Sequence, residues 1–332
     1  MCFPLFLRTV LDWHRPLVLT AALAGLVLAA SLVGTAVDGR VLVGEPIWAK
    51  PARFALSIAV YNVTLAWLLS LVRPGGRRLG SVIAVLVGVE LVAIVVQVLR
   101  GRRSHFNVET TLDALVFNGM GAVIMTVWAA NVAVGVLLAR RRTGDPAVTW
   151  AVRLGTVIAL AGMPVALLMS PATPEQEAAL AGGGSDVIGA HTVGAPDGGP
   201  GLPLVGWSTV AGDLRVPHFV GLHGLQVMIL FALALTAVTR SGRGPRRARA
   251  RVRLVVVVAA AYAGLFALTT WQALRGQSVV APDALTSAVG GVLSVGTIAG
   301  VWWAVVPSGT PDGVAAESGA RRSSEGGPGA AE

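Results

Sequence analysis

Five polar or ionisable side chains, Asp213, Arg215, His218, His223 and Gln226, crowd into the stretch DLRVPHFVGLHGLQ, which runs straight into the apolar VMILFALALTAV. Charged and hydrogen-bonding groups are costly at the mouth of a membrane helix, so such a cluster usually marks a site. On a helix Arg215 and Gln226 point in nearly the same direction, with His218 and His223 to either side. A second stripe, Arg53, Ser57, Tyr61 and Thr64, has spacings i, i+4, i+8 and i+11 and shares one helical face. Glu90 stands in the middle of SVIAVLVGVELVAIVVQVLRG, with Gln97 two turns further along the same face. An ionised carboxylate at that depth costs roughly 2.5–3.5 kcal/mol, which predicts a residue turned into the protein, protonated or paired. Tyr61, Asn62, Asn131 and His223 are its candidate partners. Arg53, Arg100, Arg215 and Arg275 suit a carboxylate or phosphate, to which guanidinium groups offer paired donors. Pairing with Asp113, Asp283, Glu109 and Asp213 is the competing expectation for the same arginines.

Those residues have to be held by membrane helices. The chain of 332 residues is 54% apolar and 13% charged, with mean hydropathy +0.72. Apolar runs of the length needed to cross a bilayer fall at 16–36, 53–72, 80–100, 117–139, 151–170, 216–239, 253–274 and 284–306. The predicted fold is an all-α polytopic bundle of eight spans, following a lead-in at 1–15. Arginines collect in the connections 73–79, 140–150 and 240–253, the last of which holds seven. Short basic loops stay on the cytoplasmic side, so both termini are placed inside and 171–215 becomes the longest outer loop. Its Gly, Pro and Ala content predicts loose chain, and the segment 307–332 reads as a disordered tail. The net charge of +9 is thus a topology signal and not a nucleic-acid surface. A lipid bilayer is the expected surrounding, with a small anionic or polar ligand as partner.

Short strings recur in order. QVLRG at 97–101 returns as QALRG at 272–276, and DAL at 113–115 as DAL at 283–285. ALAG at 22–25 returns at 159–162, and KPARF at 50–54 aligns with RVPHF at 215–219. These matches predict two parallel four-helix repeats, 16–139 and 140–306, with a site at their interface. Gln97 with Gln272, and Arg100 with Arg275, are then equivalent pairs at the outer rim. Glu90 has Leu265 as its counterpart, so any role it has is confined to the first half.

His105 and Glu109 would share a face if SHFNVET were helical. With His218 and His223 they form a weak candidate set for a transition metal, although no HxxxH or CxxC spacing supports it. His218, His223 and Glu90 are the candidate acid/base groups of a membrane-embedded enzyme. Walker loops, nucleophile elbows and zinc-protease motifs are absent from the sequence. The single cysteine, Cys2, has no partner for an internal disulfide.

The strings KPARF, RGRRSHFN and LRVPHFVGLHGLQ resemble an uncharacterised family of bacterial multi-pass membrane proteins, a likeness that brings no activity with it. In architecture alone the chain also resembles heme A synthase, another eight-span protein of two four-helix halves, which makes haem a possible cofactor. That family uses histidine pairs in each half, whereas the first half here has no histidine inside a span. Transport or sensing of a small ligand in an outward-facing polar cavity is the leading expectation. There Arg53, Ser57, Tyr61, Gln97, Arg100, His105, Arg215, His218, His223, Gln226, Gln272 and Arg275 would line the path and Glu90 would handle a proton. An enzyme acting on a lipid-linked substrate at the outer leaflet comes second, and a structural subunit third.

Overall fold

A computed structural model describes residues 12–72, 75–245 and 247–306. The proposed lead-in, apart from its last four residues, and the proposed tail fall outside them. The described residues are predominantly helical and include eight helices long and apolar enough to cross a membrane. They are α1 (Arg15–Val37), α2 (Ala49–Leu71), α3 (Arg77–Leu99), α4 (Thr111–Ala139), the stretch Pro146–Ala181 that opens with α5 (Pro146–Gly162), α7 (Arg215–Arg240), α8 (Ala248–Leu274) and α9 (Ala284–Val305). A helix of 23 residues, such as α1, α2 or α3, is about 34 Å long at 1.5 Å per residue, enough for the hydrocarbon layer. Within lipid the backbone must satisfy its own hydrogen bonds, which is why each apolar run is continuous helix. All eight expected spans are present. α4 begins six residues earlier than the hydropathy suggests, because Thr110 caps it by accepting from the Asp113 amide at 3.1 Å. α5 passes into a tighter 3-10 stretch, Met163–Met169.

Helix neighbours follow the same order in both halves. α1 packs on α2 and α3, α2 on α3, and α3 on α4; α5 packs on α7 and α8, α7 on α8, and α8 on α9. α4 and α5 join the halves: the Trp128 indole donates to the Leu160 carbonyl at 3.2 Å, and Gly135 lies against Thr156 and Leu160.

Lipid gives apolar side chains little reason to prefer each other, so membrane helices associate through close packing of small residues. The α5–α7 crossing is the clearest case. A Cβ on Gly162 would stand 2.4 Å from the Gly221 Cα, and one on Gly224 would stand 2.5 Å from Ile158. At the basic ends, Arg251 of α8 pairs with Asp145, the N-cap of α5, at 2.6 Å. Arg253 lies 4.6 Å from the Trp303 ring, tying α8 to α9.

The opposite end is capped. The segment 171–215, expected as loose chain, carries a short helix α6 (Pro174–Ala181) with a full capping box at Thr173 and Gln176. It also pairs β3 (Thr192–Val193) with β4 (Gly212–Asp213), while β1 (Val41–Leu42) and β2 (Glu45–Pro46) form a second small hairpin beside it.

The α5–α7 contact yields a stability test. Gly162→Val should lower the thermal unfolding midpoint in detergent, at a cost of about 1–3 kcal/mol for overpacking. Gly296→Val, at a position with nothing within 4 Å, should leave it unchanged. Equal midpoints for the two variants would remove the crossing from the account of stability.

Candidate functional site

The capped end is assembled by arginines. Residues 202–207 fold into a turn in which the Gly206 amide donates to the Leu202 carbonyl at 2.8 Å. Gly206 has φ +68°, and a Cβ there would collide with Glu45. Two consecutive carbonyls of this turn are gripped from both halves. Arg53 of α2 donates to Val205 and Arg215 of α7 donates to Gly206, each at 2.6 Å. Both guanidinium groups are also ion-paired, Arg53 to Glu45 and Arg215 to the fully buried Asp213 carboxylate at 2.7 Å. Arginines proposed to receive a ligand therefore hold a lid.

The other rim arginines are engaged in the same way. Arg100 pairs with Asp113 at 2.7 Å, Arg275 with Asp283 at 2.6 Å, and Arg102 with Glu109. The recurring QxLRG strings make the same helix end twice. Gly101 and Gly276 take left-handed φ values of +71° and +72°, and the Gln97 and Gln272 side-chain amides each donate to the carbonyl six residues on. The two DAL strings part company here: Asp283 caps α9 directly, whereas Asp113 sits in the first turn of α4 behind Thr110. The segment holding His105 and Glu109 is not helical, and Glu109 is taken by Arg102. Shared-face geometry for that pair is not realised.

At the same end, aromatic and basic groups of both halves meet. The His105 ring stands 5.7 Å from Phe54, 6.2 Å from Phe106 and 6.4 Å from Phe117, and its Nδ1 is 3.0 Å from the Ser104 hydroxyl. Burial, reinforced by Lys50 and His191, holds its pKa well below the ordinary histidine range. His191 packs edge-on against Phe106 at 4.9 Å, and its Nδ1 is 2.7 Å from the Asp197 carboxylate. Burial lowers its pKa too, outweighing the opposing contact with Asp197. Asp197 also accepts from the His191 and Thr192 amides and the Thr192 hydroxyl. Burial alone would raise its pKa, but these bonds keep the carboxyl below the usual carboxylate range.

Lys50, the only lysine of the chain, reaches over the Phe54 ring with its Nζ 5.8 Å from the centroid. Among the described residues it has no ion-pair partner, although Arg53, Arg215, Asp197 and Glu45 all lie within electrostatic reach. His218 Nδ1 donates to the Gly162 carbonyl at 3.0 Å, which leaves Nε2 as the acceptor. The His223 ring packs at a tilt against Phe219 at 4.4 Å, and Phe219 meets Trp207 at 5.6 Å.

Deeper in, the residues separate. Tyr61 and Asn131 hydrogen-bond each other at 2.9 Å, and the Thr64 hydroxyl returns to its own helix at Val60. Glu90 is buried at 6% exposure, as expected, yet its Oε1 has no hydrogen-bond partner, and neither Tyr61 nor Asn131 reaches it. The Gln226 Oε1 is likewise unpartnered and Ser57 is half-buried. His105, His218 and His223 do not form a metal set: among the described residues no three His, Cys, Asp or Glu side chains converge as ligands. Sequence reasoning passed over three members of the lidded cluster: Lys50 as a site residue, His191 and Asp197. A lone lysine among 25 arginines (26 basic residues less Lys50) is the one sequence signal that singles any of them out.

No protein-family model, curated protein or solved structure matches this chain. Its eight apolar helices define a multi-pass integral membrane protein.

The half-buried imidazoles set a pH dependence. Because folding holds His105 and His191 below their ordinary pKa of about 6.5, the unfolded chain binds more protons around and beneath that value. Stability contributed by the neutral rings is complete above the histidine range and lost as pH falls through it. The thermal midpoint in detergent should be flat above about pH 7 and decline on acidification. His105→Phe, which suits the surrounding rings, should make that decline shallower. An unchanged slope would show that His105 plays no part in it.

Proposed function

We propose that the protein binds a small anionic or polar ligand from the outer side of the cell membrane, for transport or for sensing. The capped end faces out and both termini face the cytoplasm, a reading supported by the arginine-rich connections at the other end. Two parallel four-helix repeats build the bundle. The matching order of helix neighbours and the paired QxLRG caps support this. The strings KPARF, RGRRSHFN and LRVPHFVGLHGLQ resemble those of bacterial multi-pass membrane proteins, which supports the membrane reading.

The observation that carries the ligand reading is the state of Lys50. Arg53, Arg100, Arg102, Arg215 and Arg275 each hold a carboxylate, while Lys50 holds none among the described residues. An ammonium group half-buried on an aromatic ring, between neutral imidazoles, is completed by an anion more readily than by water. His105 and His191 supply hydrogen bonds without adding charge, and the turn at 202–207 closes the site. A second reading, an enzyme acting on a substrate at the outer leaflet, is favoured by one contact. Asp197 lies behind His191 as an orienting carboxylate lies behind a general base.

Phosphate, sulfate, acetate and citrate can be screened by thermal shift on the purified full chain. At least one should raise the midpoint, as a ligand bound only by the folded state must. Lys50→Gln should abolish that rise and His191→Ala should weaken it. A stabilising anion indifferent to Lys50→Gln would refute the assignment.

A further inference from the structure

The middle of the first half holds polar groups that its own side chains leave unsatisfied. Asn62 of α2 is fully buried, and neither its Nδ2 nor its Oδ1 has a hydrogen-bond partner in the protein. Glu90 of α3, at 6% exposure, has an unpartnered Oε1. These two helices pack together and run in opposite directions. Leu69 of α2 meets Gly80 of α3, where an added Cβ would lie 2.4 Å from the Leu69 Cδ1. Counting back from that contact puts Asn62 level with Val87, and Glu90 three residues, or about 4.5 Å, further along the axis. The two side chains make no direct hydrogen bond, and a bridging water is the partner open to both.

An amide and a carboxyl left bare at this depth would cost several kcal/mol between them. Cations do not relieve it. On the helices packed against α3, the charged or titratable groups are His14 and Arg15 at the start of α1, and Lys50, Arg53 and Tyr61 on α2. α4 adds only Asp113, which Arg100 already holds. Tyr61 is committed to Asn131.

We propose that Glu90 is a proton-binding site within the membrane, holding its proton at neutral pH and joined through water to Asn62. It is independent of the site at Lys50. In the second half Leu265 occupies the corresponding place and is 41% exposed, so no carboxyl is repeated there.

Infrared difference spectroscopy on the full chain in liposomes tests this. Wild-type protein at neutral pH should show a protonated-carboxyl stretching band that Glu90→Gln removes. Asn62→Leu should shift the band without abolishing it. Transfer of the wild type to deuterated water, which needs no variant to fold, should move the band as well. Absence of a Glu90-dependent band at neutral pH would overturn the proton site. A band unmoved by Asn62→Leu would overturn the link to Asn62, and one unmoved by deuteration would overturn its contact with water.

Discussion

Two guanidinium groups gripping one turn are the contact on which the capped end depends. Arg53 and Arg215 belong to different halves, yet they donate to adjacent carbonyls, Val205 and Gly206. A charge near the bilayer boundary is tolerable only when neutralised and hydrogen-bonded, so each arginine brings its own carboxylate. Its remaining donors then serve the lid. The planar fork of Arg lets one group do both, which a lysine ammonium in the same place would do poorly. Through this clamp the long connection of the second half is fastened to the first.

Below the clamp the helices are held by fit. Glycines at 155, 162, 221 and 224 let α5 and α7 approach until backbones touch. In the first half, α1 and α2 meet with the Trp48 ring lying over Gly34, and the Trp48 indole donates to Asp38 at 2.8 Å. His14 works similarly at the basic end: it caps α1 through Nδ1 and donates from Nε2 to the Arg77 carbonyl at 2.9 Å. Polar side chains in this protein mostly close helix ends or join neighbours, which makes those that do neither conspicuous.

The eight spans were legible because the lipid phase demands unbroken apolar helix, and length alone reveals that. Helix caps at Asp283 and the paired QxLRG ends could be read from residue type and spacing. The burial of Glu90 followed from the cost of exposing it. Segment 171–215 misled, since its Gly, Pro and Ala content says nothing of Asp197 and Asp213, which hold its turns by accepting from backbone amides. Rim arginines could be recognised as costly, but nothing in their spacing told ligand from lid. Whether a guanidinium is satisfied by Glu45 or by a solute is decided by a hairpin eight residues upstream and a turn some 150 residues downstream. His191 lay hidden for the same reason, because its partners Phe106 and Asp197 come together only in the folded chain.

Near-symmetry of the helices does not extend to the chemistry. Glu90 is buried where Leu265 is exposed, and among the described residues Lys50 has no carboxylate partner whereas Arg215, aligned with it in sequence, is locked to Asp213. His105 too belongs to the first half. The second half contributes the turn, His191 and Asp197, all from one connection. Two halves with the same order of helix neighbours can divide labour in this way because they need share only their packing faces. Once α5 and α7 are fixed by glycines and the rim by ion pairs, the remaining polar positions are free to differ. In this molecule the difference leaves an amine at the capped end and a buried carboxyl within α3, both on the first half.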